Sequence, residues 1–241
     1  MPSTTPGPPA GRGLFAVSSV LMAAFIAIER RAADPLVPVE LFRSRMLRTG
    51  TAVALLGGAS RASTFVLVAL YFQQVLAMSP VQAGLAMVPT SLTGFAVSLA
   101  VRPRVLGAIG PVRSMVLGLV VLAAGHLWLA NAPTGSAYVL AVLPGLLLVA
   151  TGVALSFTPT TMVLASAVPA SNTGLASGFA GASMQVGGAL GTAAFIVIGI
   201  SSGRPVEGAL DAAGFSAAFT AAAVVALLTA ALGATLARPR S

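Results

Sequence analysis

Arg61 interrupts the apolar run near residues 49–76, and a guanidinium there could hold a carboxylate or another polar group. A central arginine in a membrane helix costs about 2.5–3.5 kcal/mol even on a lenient insertion scale, so an intramembrane charge is by default a functional candidate. The positions sharing its helical face, Gly50, Ala54, Gly57, Thr64 and Val68, are mostly small and point it into a bundle or a wet cavity; snorkelling to a headgroup is the bland alternative. Its natural partner would be an acid. The five acids, Glu29, Asp34, Glu40, Glu207 and Asp211, all fall in expected loops or at span ends. The one histidine, His126, stands close to Trp128 and Asn131 near a span end, where an interfacial aromatic position is expected over a proton-carrying one.

This scarcity excludes most chemistry. A metal site needs several His, Cys or acidic ligands together, and a serine hydrolase needs a base oriented by a buried acid. The sequence has no cysteine and no phosphate-binding GxxxxGK[ST] loop. The chain is therefore expected to be neither an enzyme nor an ATPase, with no catalytic residue, metal or cofactor. The net charge of +8 comes without basic blocks interleaved with aromatics, so nucleic acid is not an expected partner.

The elements that must carry these residues follow from composition. Charged residues make up 7% of the chain and mean hydropathy is +0.97, whereas soluble chains carry about 25% charged residues. The solvent is a lipid bilayer, which forces backbone amides into helices. Runs long enough to cross the hydrocarbon lie near 49–76, 81–101, 112–131, 137–158, 174–200 and 212–236. Residues 14–28 form a shorter apolar run, expected as a short membrane helix after a Pro/Gly-rich disordered tail, 1–13, and before a linker, 29–48. The fold class is all-α: a six-span bundle, 49–241, plus one short preceding helix.

Arginines set its orientation. Alternating spans place Arg30, Arg31, Arg43, Arg45, Arg48, Arg102, Arg104, Arg113, Arg238 and Arg240 on one side, against Arg12 and Arg204 on the other. The crowded side, with loop 102–113 and the C-terminus, is cytoplasmic by the positive-inside rule.

The segment "GLASGFAGASMQVGGALGTA", 174–193, is rich in glycine and uncharged. At 100° per residue, Gly174, Gly178, Gly181, Gln185, Gly188 and Thr192 fall within about 40° of one line. Small residues let helices approach closely, so the stripe predicts either a static packing seam or a smooth surface on which a helix can shift. In the second case Gln185 faces the bundle interior. Close packing along the stripe makes Leu at Gly181 or Gly188 more damaging than Leu at Ala176.

The loops carry a resemblance. "IERRAADPLVPVELFRSRML", "LYFQQVLAMSPVQAGLAMVP", "GPVRSMVLG" and "VPASNTGLASGFAGASMQVGGALG" resemble, in that order, segments of the 14-span drug:proton antiporters of the major facilitator superfamily. Tyr71, Gln73, Ser79, Pro80, Gly84 and Pro89 carry the second likeness, and Gly110, Arg113 and Gly118 the cytoplasmic-loop likeness. Gly107 and Ala108 replace that loop's acid and base, and Met184 replaces the arginine before Gln185.

The resemblance begins partway through the family's sequence. It implies the C-terminal half of an efflux carrier for drugs or small molecules in the plasma membrane, with the proton-coupling acids in an N-terminal half. Arg61, Gln73 and Gln185 are then candidates for the substrate pathway, and the partners are the bilayer, a small-molecule substrate, the proton and the missing half. A self-associating half-carrier, in which a second copy supplies the other wall, and a membrane interaction protein without transport stand as alternatives.

Overall fold

The computed structural model describes residues 44–132, 138–169, 173–203 and 210–237, with nine helical residues between 13 and 28. The chain divides into two units, 1–42 and 43–241. In the first, described residues such as Val17, Val20, Leu21 and Ile28 are helical and exposed, as apolar residues expected in lipid would be. The tail 1–13 lies outside the described residues except Gly13, as does the linker up to residue 43.

The second unit is all-helical among its described residues. Its helices are α1 Arg45–Gln74, α2 Pro80–Ala86, α3 Val88–Ala96, α4 Arg102–Ala130, α5 Tyr138–Ala141, α6 Leu143–Ala165, α7 Thr173–Ser202 and α8 Ala212–Ala234. A widened turn, Val97–Val101, joins α3 to α4. Helix α1 begins four residues before the expected span, because Ser44 caps it by accepting from the Leu47 N–H at 3.4 Å. Arg45 and Arg48 are therefore helical and not part of a loop. The start of α2 is a capping box: Ser79 Oγ accepts from Gln82 N–H, and Gln82 Oε1 accepts from Ser79 N–H at 2.9 Å, with Pro80 next to the cap. Helix α6 runs on to Ala165, beyond the expected end at 158.

The loop expected at 102–113 is helical except at one residue. Gly110 has φ 74° and ψ 171°, a conformation open essentially to glycine alone, and Pro111 follows it. The 51 residues from Pro80 to Ala130 are thus two spans. Their contacts with α6 show that they run in opposite directions. On α5, immediately before α6, the Tyr138 hydroxyl donates to Ala86 O, and Trp128 Nε1 donates to Ala141 O at 2.9 Å. Farther along, Arg102 donates to Thr158 Oγ1 at 2.7 Å, and Ser114 Oγ donates to Leu155 O at 3.2 Å. Each contact pair ties both segments to the same end of α6, so the chain doubles back at Gly110. With α1, α6, α7 and α8, which are long and apolar enough to cross a membrane, six segments traverse the bundle.

Five of the six described arginines, Arg45, Arg48, Arg102, Arg104 and Arg113, collect at one end. That end is fixed by Gly50 beside Leu164 and Gly233 beside Met115. At the other end, Gln74 Oε1 accepts from the Leu210 N–H at 3.0 Å.

The close seams between helix backbones include two built on glycine pairs. Between α4 and α6, a Cβ on Gly118 would lie 2.6 Å from Ser156 N, and one on Gly152 would lie 2.5 Å from Leu122 N. Between α1 and α7, a Cβ on Gly58 would overlap the Met184 carbonyl, and one on Gly187 the Leu55 carbonyl. Backbones meet directly in both, as expected where dispersion, not water exclusion, joins helices. Outward-facing Leu85, Leu92, Phe95, Leu140 and Val197 are each more than half exposed, which a lipid solvent tolerates.

Candidate functional site

The glycine-rich helix α7 turns a different face to the bundle than its stripe suggests. Gly174, Gly178 and Gly181 are exposed, and a Cβ at each would meet nothing within 4 Å. The buried positions are Ala176, Ala180, Ser183, Met184, Gly187, Gly188, Gly191, Phe195 and Gly199, centred roughly 100° around the helix from the stripe. Of the four glycines expected to pack, only Gly188, on the border of the two faces, does so: its Cβ would lie 2.7 Å from Ala62 Cβ. The expectation that Ala176 tolerates bulk fails for the same reason, since Ala176 is 2% exposed. From Gly174 to Gly181 the stripe is an open surface among the described residues. Gln185 and Thr192 lie on it, in a shallow groove with Ala62, Val66, Gly188 and Ile196 between α1 and α7.

Arg61 lies where its helical face implies. It sits near the middle of α1, is 4% exposed, and shares its buried face with Gly50, Ala54, Gly57, Thr64 and Val68. Nη1 donates to Ser156 Oγ on α6 at 3.3 Å, while Nη2 has no hydrogen-bond partner among the described residues. The guanidinium carbon lies 5.9 Å from the centre of the Phe157 ring, within cation–π range. A Cβ on Gly57 would come within 3.0 Å of both terminal nitrogens, so glycine makes room for the folded-back fork. Asp211, the only acid among the described residues, caps α8 by accepting from Gly214 N–H at 2.8 Å.

His126 is misplaced by the sequence reading. It is fully buried, not interfacial, with Nε2 2.6 Å from Thr64 Oγ1 and its ring stacked on Phe219 at 6.3 Å. Nδ1 has no partner. Trp128, two residues on, does take the expected half-exposed position, because the intervening 200° of helix turns it away. Around these residues runs a band of buried hydroxyls. Ser60 donates to Ala222 O at 3.0 Å, Thr64 to Ser60 O at 2.8 Å and Thr160 to Ser156 O at 2.7 Å.

Gln73 is not brought to this band. It is exposed near the far end of α1 and donates back to Ala69 O at 3.1 Å. Gly110 makes the turn already described, and Arg113 is exposed beside it, near Leu236 and Ala237 at the end of the last span. Among the described residues, no group of His and acids could hold a metal ion. Ser156 and Phe157 were missed by sequence reasoning, since a Ser-Phe pair in an apolar run has no periodic signature and lies 95 residues from Arg61.

The sequence profile described as Major Facilitator Superfamily matches residues 7–192. The chain is 32% identical to the lincomycin resistance protein of Streptomyces lincolnensis over 80% of its own length and 40% of that protein's. It is 36% identical to the tetracenomycin C resistance and export protein of Streptomyces glaucescens, covering 77% of this chain and 34% of the relative. A tetracycline resistance determinant of Streptomyces rimosus is 30% identical over 82% of this chain and 58% of its own length. The chain thus spans between about a third and three-fifths of these relatives.

Proposed function

The chain belongs to the Major Facilitator Superfamily, and we propose that it is the C-terminal half of a small-molecule efflux carrier working against a second six-helix half. The observation that carries this is the open stripe of α7. Gly174, Gly178 and Gly181 present a smooth surface that packs on nothing among the described residues, while another face of the same helix is locked backbone to backbone. A helix fixed on one side and smooth on the other suits a bundle that rocks as a rigid body about a midplane site. Gln185 and Thr192 on that surface supply polar contacts for a substrate, and Arg61 supplies charge at mid-depth. Relatives named for resistance or export support the substrate class. Coupling to protons belongs to this proposal too, with the coupling acids contributed by the partner half. The arginine-rich end is its cytoplasmic end, in the plasma membrane.

The test fuses this chain to the portion of the lincomycin resistance protein that it does not match, and measures accumulation of lincomycin and ethidium in susceptible cells. Export by the fusion, lost on adding a protonophore and absent for this chain alone, is the expected result. A fusion that inserts fully but lowers accumulation of neither compound would overturn the reading. Export by this chain alone would replace it with the self-associating half-carrier.

A further inference from the structure

Arg61 carries a charge that the bundle does not compensate. One terminal nitrogen is committed to a neutral hydroxyl and the other to nothing, at 4% exposure. A buried charge without a partner is strongly unfavourable, so a chain that retains it is built to receive one. The partner does not come from the described residues, whose only acid caps a helix elsewhere.

The surroundings say what would fit. Gly57 closes one side of the guanidinium, and Ser156, itself fully buried, closes another. Phe157 is the wall that faces out: it is 52% exposed while its ring covers the guanidinium at 5.9 Å. Nη2 is itself closed off from the surface, so a ligand reaches it only as the exposed Phe157 ring gives way, and meets that phenyl before the positive charge behind it. We infer that Arg61, Ser156 and Phe157 form a binding site for an aromatic carboxylate. The carboxylate takes Nη2 of Arg61 and a hydrogen bond from the Ser156 hydroxyl, whose present acceptor, Val153 O, is a distant 3.5 Å away. The aryl group stacks on Phe157. A monoanion matches the single guanidinium, whereas a phosphate dianion would leave excess charge in an apolar site. This site gives the proposed carrier its substrate class and rests on that reading, but binding is measurable without transport.

The experiment is equilibrium dialysis of the full chain in phosphatidylcholine nanodiscs against 2-naphthoate, its neutral isostere 2-naphthamide, and acetate, each corrected for empty discs. Naphthoate should bind saturably, with naphthamide and acetate each weaker by about tenfold or more, as expected for loss of a charge-assisted hydrogen bond or of the aryl contact. Arg61→Gln should abolish the preference of naphthoate over naphthamide. Arg61→Lys should restore part of it, since a point charge replaces the planar fork. Phe157→Ala should weaken naphthoate while leaving acetate unchanged. Absence of saturable naphthoate binding, equal binding of acid and amide, or an Arg61→Gln chain that is helical and still prefers the acid would each overturn the site. A fusion that exports lincomycin while showing none of this binding would sink the site and leave the exporter reading intact; binding without export would do the reverse.

Discussion

His126 and Thr64 meet in the centre of the bundle, Nε2 to Oγ1 at 2.6 Å, with both side chains closed off from the surface. This pair links α1 to α4 one turn away from Arg61. Hydrogen bonds between helices in a membrane average about 0.6 kcal/mol and reach about 1.7 kcal/mol. A double-mutant cycle of His126→Leu and Thr64→Val, read by unfolding in mixed micelles, should give a coupling in that range. Additivity of the two changes would show that the contact contributes nothing.

The seam between α1 and α7 makes the second prediction. Gly187→Leu and Gly191→Leu should each destabilise the chain strongly, beyond the usual roughly 1–3 kcal/mol of overpacking, because the new side chain meets the Leu55 or Ala59 backbone. Ala176→Leu should also be costly, while Gly181→Leu should leave the stability of the isolated chain unchanged. In the fused carrier Gly181→Leu should instead impair export. Equal stability of the Gly181 and Gly191 variants, compared by thermal unfolding, would contradict the assigned faces.

Gly110 should be irreplaceable while its neighbour is not. Gly110→Ala forces a side chain into a conformation costing about 1–3 kcal/mol. Gly107, helical and with nothing within 4 Å of a Cβ, should accept alanine with a gain of up to about 1 kcal/mol. Parallel unfolding titrations of the two variants would decide it.

Orientation is testable in a chain that has no cysteine of its own. Ser241→Cys should label with a membrane-impermeant thiol reagent only after permeabilisation, and Asn131→Cys, exposed at the opposite end, should label in intact cells. The reverse pattern would invert the bundle.

Arg61→Ala should act oppositely in two settings. In the fused carrier it should reduce export while insertion is unaffected. In the isolated chain it should be neutral or mildly stabilising, because it deletes an uncompensated buried charge. Unchanged export would make Arg61 a tolerated residue only.

The membrane class, the six traversing segments and the gathering of Arg45, Arg48, Arg102, Arg104 and Arg113 at one end were legible in the sequence, because run length, hydropathy and charge are properties of contiguous residues; Arg12, Arg30, Arg31, Arg43, Arg204, Arg238 and Arg240 lie outside the described residues. The inward direction of Arg61 was legible too, since its small neighbours Gly50, Ala54 and Gly57 share its helical face. Three outcomes belonged to the tertiary structure. His126 has an interfacial tryptophan two residues away, yet 200° of helix sends the two to opposite environments, and only the position of α1 supplies Thr64. The glycines of α7 are equally small on two faces, so composition could not say which face packs; the carbonyls of Leu55 and Met184 decided it. Ser156 and Phe157 acquired meaning only when α6 came to lie beside α1, because a contact across 95 residues leaves no trace in local periodicity.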